Sequence, residues 1–240
     1  ACPELVAVVG EAAVADLAAA CEAVAPLTPA LPAESVLAEA KTSRLPSPGS
    51  APQSPTAQSA YQQEAQAARL EVVKPALQGL FTKLMRADPA VVKQHLDALM
   101  RRIATTTPML RTPVDELAVR LHEQYPADVG VFCVYLLNYL VLEPGQALFL
   151  GANEPHAYLA GECVECMAAS DNVVRAGLTP KFKDVDNLTS MLTYIDGPPH
   201  MILGEDLGPH VRRYVTPVDE FLVDRVEVPA GTQAALPSAP

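Results

Sequence analysis

The chain has 240 residues, half of them hydrophobic, and a formal net charge of −11. This length is enough for one large domain or two smaller ones. The negative charge disfavours nucleic acid or an anionic membrane as the main partner, although local cations could hold a small anion. We expect no membrane span and no signal peptide, because no apolar run approaches ~20 residues and the start lacks a basic segment. Five cysteines, an odd number, do not suggest a disulfide framework, so a reducing, cytoplasmic compartment is expected.

The N-terminal part is predicted to begin with a strand and to continue as a helix. The Val-rich stretch PELVAVV, residues 3–9, favours a short strand, and residues 11–25 contain strong helix formers without a breaker. Residues 42–56 are a low-complexity Pro/Ser-rich linker that we expect to be mobile. Helical character returns near Tyr61.

Two further helices are predicted in the middle of the chain from their start signals. Asp88 is an N-cap followed by Pro89, and Thr112, Pro113 and Asp115 repeat this arrangement with a capping box. The apolar residues that follow recur at helical spacing and should face inward: Val92, Leu96, Leu99, Met100 and Ile103, then Val114, Leu117, Ala118 and Leu121. The middle of the chain is therefore predicted to be a helical unit.

From about Val129 the pattern changes to short apolar runs separated by turns. The breaks EPG, GANEP and AGE have roughly the 8–12-residue spacing typical of sandwiches and barrels, so a β-meander is predicted. A short helix follows at DVDNLTSMLTY, residues 184–194, and one alternating strand within DEFLVDRVEV, residues 219–228.

His156 and Glu165 are predicted to lie near one another on one face of a hairpin. Alternation along a strand at EPHAYL places His156 and Tyr158 on the same side, and Glu165 lies on the next strand. A histidine beside a carboxylate suits either a metal ligand or an acid–base pair. Taken alone, the pattern more often marks a structural or exposed histidine.

Two cysteines in this region, Cys163 and Cys166, form a CxxC pattern that would suit a zinc knuckle or a redox site. Residues three apart on an extended strand lie on opposite faces, however, and the chain has no second CxxC. We therefore expect structural cysteines.

Two cations flank the stretch AGLTP, residues 176–180. A turn is predicted at residues 170–172, and Arg175 and Lys181 lie on either side of the stretch, whose Gly and Pro restrict its geometry. Such cations could bind a phosphate or a sugar-like anion. Solvated surface charges are the alternative.

Together, these motifs closely resemble the core signature of the type I phosphomannose isomerases. Residues 137–182 contain PGQALFL, PHAYL, GECVECM and SDNVVRAGLTPKF in the family's order and spacing, over about 45 residues. The helical region before them and the strand after them also agree with the family.

The resemblance implies a mixed α and β fold: a partial cupin-type β-barrel (jelly roll) with an inserted α-helical domain, and the start of a second β-barrel at the C-terminus. It implies a zinc-dependent isomerase with one Zn²⁺ per subunit that interconverts mannose 6-phosphate and fructose 6-phosphate. The substrate is a sugar phosphate, and we expect a monomer without a nucleic-acid or membrane partner. The alternative is a catalytically inactive cupin and helical module that acts in binding or regulation.

The matching motifs imply roles for individual residues. His156 of PHAYL and Glu4 of CPEL match zinc ligands, and Arg175 of VRAG matches a residue acting at the reacting sugar carbons or on the charge that develops there. These residue types suit a reaction that passes through an enediolate intermediate. A metal and a cation can stabilise the enediolate oxygens while a base moves the proton. The positions that match the substrate cavity are Tyr158, Glu165 and Lys181.

The N-terminal segment departs from the family pattern. The lysine of the family's KPE is Cys2 here, and the family's Gln and His zinc ligands come from upstream of KPE, so we expect a chain incomplete at both ends. The predicted domains are residues 1–10 as the end of an N-terminal cupin segment, 11–127 as the helical domain, 128–182 as the cupin strands that carry the site, and 183–240 as a connecting helix and the start of a C-terminal β domain.

Overall fold

The computed structural model describes residues 2–24, 57–170 and 173–233. The predicted linker 42–56 and part of the turn predicted at 170–172 lie outside these residues. The chain divides into two units: Ala1–Tyr139 with Val174–Gly197, and Leu140–Val173 with Pro198–Pro240. Within the described ranges, no helix has both the length and the apolar character needed to cross a membrane.

The described part of the first unit is helical. Its α-helices, in chain order, are α1 Pro3–Val9, α2 Glu11–Val24, α3 Ala57–Met85, α4 Pro89–Thr105, α5 Pro113–Gln124 and α6 Val185–Met191, with 3₁₀ helices at Pro108–Leu110 and Val129–Tyr135. The helices predicted near residue 11, near Tyr61 and at 184–194 are thereby confirmed.

The start signals of α4 and α5 act as predicted. The Asp88 carboxylate accepts a hydrogen bond from the backbone N–H of Ala90 at 2.7 Å, with Pro89 at the first helical position. Thr112 and Asp115 form the capping box, in which each side chain accepts from the other residue's backbone N–H. The contacts at both helix starts provide acceptors for backbone N–H groups that the first turn of a helix leaves without hydrogen-bond partners.

The core of the first unit lies along the predicted apolar faces of these helices. The side chains that are buried there include Val92, Leu96, Leu99, Ile103, Leu117, Ala118, Leu121 and Phe132. Met100 and Val114, also predicted to face inward, are only partly buried. A separate cluster of Ala20, Val24 and Val73 packs α2 against α3.

The predicted strand at residues 3–9 is wrong, because this stretch forms α1. Pro3 occupies the first helical turn, and the N–H of Gly10 bonds to the carbonyl of Val6 at 2.8 Å with φ of 87° at Gly10. Leu5 and Val9, one helical turn apart, are both buried, and α1 packs on α4. This packing outweighs the weak preference of valine for strands.

The described part of the second unit contains two small antiparallel sheets. In the first, β1 Ala147–Phe149 pairs with β2 His200–Ile202. In the second, β4 Val211–Tyr214 lies between β3 Glu205–Gly208 and β5 Val223–Val226. β5 lies within the predicted alternating strand. Tyr214 is buried, and its hydroxyl donates to the carbonyl of Gly145 at 2.8 Å.

The predicted β-meander from Val129 is wrong over most of its length. Residues 129–135 are a 3₁₀ helix, and residues 150–170, which include both strands of the predicted hairpin, form no strand. A strand requires a neighbour for its backbone hydrogen bonds, and the described residues provide none here. The mixed helix-and-sheet class with a helical domain is confirmed, but the described strands form no closed barrel.

Candidate functional site

Glu4 lies on the buried side of α1, where a cation from α4 neutralises it. Arg102 Nε donates to Glu4 Oε1 at 2.8 Å, and Arg102 Nη2 donates to Oε2 at 3.1 Å. Burial raises the pKa of Glu4, but the hydrogen bonds from Arg102 and its other neighbours outweigh burial and lower the pKa below its usual range. Glu4 is therefore an ionised, nearly buried carboxylate.

Cys2, which the motif resemblance matches to the family's KPE lysine, also contacts Glu4. Its Sγ lies 3.3 Å from Glu4 Oε2 and donates to it. Burial raises the pKa of the Cys2 thiol, so that the sulfur keeps its proton. The cation beside Glu4 is thus supplied by Arg102 and not from the position of Cys2.

In the second unit, the structure brings His156, Tyr158 and Glu165 together. The Tyr158 hydroxyl donates to Glu165 Oε1 at 2.7 Å, and the His156 and Tyr158 rings lie 5.6 Å apart. Partial burial, followed by the hydrogen bond to the Glu165 carboxylate, raises the pKa of Tyr158 to about 12. The observed contacts are therefore Tyr158 with Glu165 and His156 with Tyr158, and the segment joining them is irregular rather than the predicted hairpin.

The ring of His156 is held in one orientation by the backbone. Its Nδ1 lies 2.8 Å from the carbonyl oxygen of Glu154. Because a carbonyl can only accept, Nδ1 carries the proton in this bond, and in the neutral ring Nε2 keeps a lone pair. This is the form in which a histidine binds a metal.

The third group of predicted residues lies on the Arg175 loop, residues 174–181, in the first unit. Asp128 holds this loop: Asp128 Oδ1 accepts from the N–H groups of Gly130 at 2.7 Å and Leu178 at 2.9 Å, and Oδ2 accepts from Lys183 Nζ at 3.1 Å. Burial raises the pKa of Asp128, but these donors outweigh burial and lower it. Asp128 is therefore a charged anchor for the loop.

The backbone of the Arg175 loop is strained and closely packed. Leu178 has φ of 55°, a left-handed conformation that costs an L-residue roughly 1–2 kcal/mol. A Cβ added to Gly177 would lie 2.6 Å from Gly130 Cα, so that only glycine fits there. Arg175 itself is partly buried and Lys181 is exposed. Among the described residues, Arg175 has no hydrogen bond or ion pair.

The donor types expected for zinc are present, but they do not form a complete site in the described residues. Glu4 uses three of its roughly four lone-pair positions for Arg102 and Cys2, and Oε1 keeps one. Glu4 and His156 belong to different units, and the described chain contains no group of three or more metal-ligating side chains. Cys163 and Cys166 are exposed free thiols, and neither belongs to a metal-ligating group within the described residues.

Sequence analysis missed Arg102 and Asp128. Asp128 had a local signal, because an aspartate two residues before a glycine often accepts that residue's backbone N–H. Arg102 had none, since its bond to Glu4 joins residues 98 positions apart.

Comparisons with known proteins agree with the motif pattern. The family described as "Phosphomannose isomerase type I, helical insertion domain" matches residues 52–137. The chain is 51% identical over 160 residues to a probable mannose-6-phosphate isomerase of Dictyostelium discoideum, a match that covers 65% of this chain and 35% of that protein. It is 46% identical over 171 residues to mannose-6-phosphate isomerase 2 of Arabidopsis thaliana, which covers 71% of this chain and 39% of that protein.

Solved structures give the same result. The mannose 6-phosphate isomerase of Salmonella typhimurium, bound to fructose 6-phosphate and zinc, matches with a TM-score of 0.55 at 29% identity, covering 71% of this chain and 42% of that one. The chain spans between 35% and 40% of the length of the curated relatives that it matches. The predicted resemblance to the type I phosphomannose isomerases is therefore confirmed, and the sequence similarity extends over about two thirds of this chain's own length.

Proposed function

We propose that this chain forms part of a zinc-dependent mannose-6-phosphate isomerase, which interconverts mannose 6-phosphate and fructose 6-phosphate. The observation that carries the proposal is the 45–51% identity to curated mannose-6-phosphate isomerases. The solved relative with bound fructose 6-phosphate and zinc supports the substrate and the metal.

Arg175 is the proposed catalytic residue. The isomerisation moves a proton between adjacent carbons and passes through an enediolate, on whose oxygens negative charge develops. A partly buried guanidinium with no partner among the described residues can stabilise this charge at little reorganisation cost, since its loop is already anchored. The exposed Lys181 is proposed to bind the substrate's phosphate.

Tyr158 and Glu165 are proposed to bind the sugar hydroxyls. Their mutual hydrogen bond at 2.7 Å holds a donor and an acceptor side by side, and a vicinal diol of the substrate can bridge such a pair. Both side chains are exposed, so a ligand can reach them.

Glu4 and His156 are the proposed zinc ligands of this chain. Each keeps a lone pair, at Glu4 Oε1 and at His156 Nε2, and mixed carboxylate and imidazole donors suit zinc. When bound, zinc would supply Lewis-acid stabilisation of the sugar oxygens. Two donors do not complete a zinc site, so further ligands have to come from outside the described residues.

The cupin-type barrel, the second barrel and the domain boundaries at residues 10, 127 and 182 are part of the same proposal. The likeness to the solved Salmonella typhimurium structure supports the fold, whereas the boundaries rest on the sequence motifs. A monomeric state and a cytoplasmic location remain predictions.

The alternative, a catalytically inactive binding or regulatory module, gains support from one observation. The Glu4 carboxylate, a proposed ligand, is neutralised by Arg102 in a partly buried ion pair. The identity to curated isomerases favours the enzyme.

A coupled isomerase assay with fructose 6-phosphate, run with added zinc and with a chelator, tests the proposal. Arg175→Ala should lower kcat by about 10²-fold or more, because one preorganised donor to a developing oxyanion is lost. Arg101→Ala is the matched control, since Arg101 is an exposed arginine of the same unit. Equal rates for wild type and Arg175→Ala would remove Arg175 from the mechanism, and a zinc-loaded wild type without any turnover would favour the inactive module.

A further inference from the structure

The Arg175 loop is held by one carboxylate to which the proposed chemistry gives no role. Asp128, whose side chain is 11% exposed, accepts the N–H of Leu178 at 2.9 Å and the Nζ–H of Lys183 at 3.1 Å. The same carboxylate accepts the N–H of Gly130 at the start of the 3₁₀ helix Val129–Tyr135 at 2.7 Å. It therefore joins the loop to the helical unit at one buried point.

The loop needs such an anchor, because its backbone is not in a relaxed conformation. Leu178, the residue whose N–H bonds to Asp128, is the one with φ of 55°. Strained residues of this kind persist only where the surroundings hold them, and they cluster at functional sites. The close approach of the Gly177 and Gly130 backbones adds a second contact at the same point.

The direction of the Arg175 side chain depends on this backbone. Arg175 has no hydrogen bond or ion pair within the described part of the chain, so no side chain described there orients its guanidinium. Only two residues, Ala176 and Gly177, separate Arg175 from the anchored Leu178. Release of Leu178 would therefore free the backbone that aims Arg175.

We propose that Asp128 is the positioning residue of the Arg175 loop: its carboxylate holds Leu178 in the left-handed conformation and thereby points Arg175 at the substrate's reacting carbons. The catalytic consequence rests on the isomerase function proposed above. The anchoring itself does not depend on it.

Asp128→Ala removes all three acceptor contacts. Asp128→Asn keeps a carbonyl oxygen for the Gly130 and Leu178 amides but loses the charge that faces Lys183. Asp88→Ala is the matched control, because Asp88 also accepts a backbone N–H in the first unit but contacts no residue of the loop. Three quantities are measured in the full chain: the hydrogen-exchange rate of the Leu178 amide, the Nε–Hε NMR signal of Arg175 (assigned with Arg175→Lys), and kcat and KM for fructose 6-phosphate.

In Asp128→Ala we expect faster exchange at Leu178, a shifted or broadened Arg175 signal, and a loss of roughly tenfold or more in kcat, since misplacement by about 1 Å is costly. Asp128→Asn should recover most of each effect, whereas Asp88→Ala should change none of them. Unchanged exchange at Leu178 overturns the anchor, and faster exchange with an unchanged Arg175 signal overturns the positioning role. If wild type has no isomerase activity, this chain by itself is not the active isomerase, while the exchange rate at Leu178 and the Arg175 signal still decide the positioning proposal.

Discussion

Replacing Arg102 by alanine should destabilise the first unit more than replacing Glu4 by glutamine. The Arg102 guanidinium makes two hydrogen bonds to Glu4, at 2.8 and 3.1 Å, that join α1 to α4. The Glu4 side chain is 10% exposed, whereas that of Arg102 is 37% exposed. Loss of Arg102 therefore leaves a nearly buried carboxylate with the Cys2 thiol as its remaining side-chain partner. Loss of the Glu4 charge leaves a guanidinium that water already reaches.

The size of each expected loss of stability follows from this difference in exposure between Glu4 and Arg102. Breaking a fully buried ion pair costs about 3–5 kcal/mol, whereas an exposed pair contributes about 0–1 kcal/mol. Because solvent screens Arg102, we expect a cost of about 2–3 kcal/mol for Arg102→Ala and about 1 kcal/mol for Glu4→Gln. In Arg102→Ala, burial would act on Glu4 without the opposing guanidinium and would raise the pKa of Glu4.

Urea unfolding followed by far-ultraviolet circular dichroism measures both costs, and the double variant gives the coupling energy. Arg101→Ala, at the exposed neighbouring position, should lie within about 0.5 kcal/mol of wild type. The reasoning is refuted if Glu4→Gln costs as much as Arg102→Ala, or if Arg102→Ala matches the Arg101 control.

Three further predictions concern local contacts. Thr112→Ala should lower the free energy of unfolding by about 1 kcal/mol, because it removes the capping box of α5; an unchanged urea midpoint would contradict this. Gly177→Ala should cost more than about 2 kcal/mol, since the new Cβ would lie 2.6 Å from Gly130 Cα. At Gly79 in α3, an added Cβ would have no atom within 4 Å, so Gly79→Ala should raise the free energy of unfolding by up to about 1 kcal/mol. Equal effects at the two glycines would refute the packing argument.

A further prediction is a pH dependence of stability. The pKa of Asp128 is lowered although burial raises it, so its stabilisation is present above the ordinary aspartate pKa and is lost as pH falls through the folded value. Below about pH 4, Asp128→Asn should therefore lose stability less steeply than wild type in thermal melts.

Signals that act over a few residues allowed correct predictions. The N-cap Asp88 and the capping box of Thr112 and Asp115 begin helices where the sequence places them, because the bonding groups lie within three positions of each other. The apolar spacing after them predicted most of the buried face. The ordered motifs of residues 137–182 pointed to the family that the comparisons confirm.

Other features depended on contacts between distant residues. The strand preference of valine predicted an extended stretch at residues 3–9. These residues form a helix instead, because Leu5 and Val9 pack against the helical unit. The apolar runs after Val129 suggested strands, yet a strand forms only where a second strand supplies its hydrogen bonds.

The sequence by itself determined the helix starts, the inward faces and the family. Only the tertiary structure decided that Arg102 neutralises Glu4 and that Asp128 anchors the Arg175 loop. These contacts join residues 98 and 50 positions apart, respectively. No local spacing encodes such pairs, because their geometry exists only after the helices have packed.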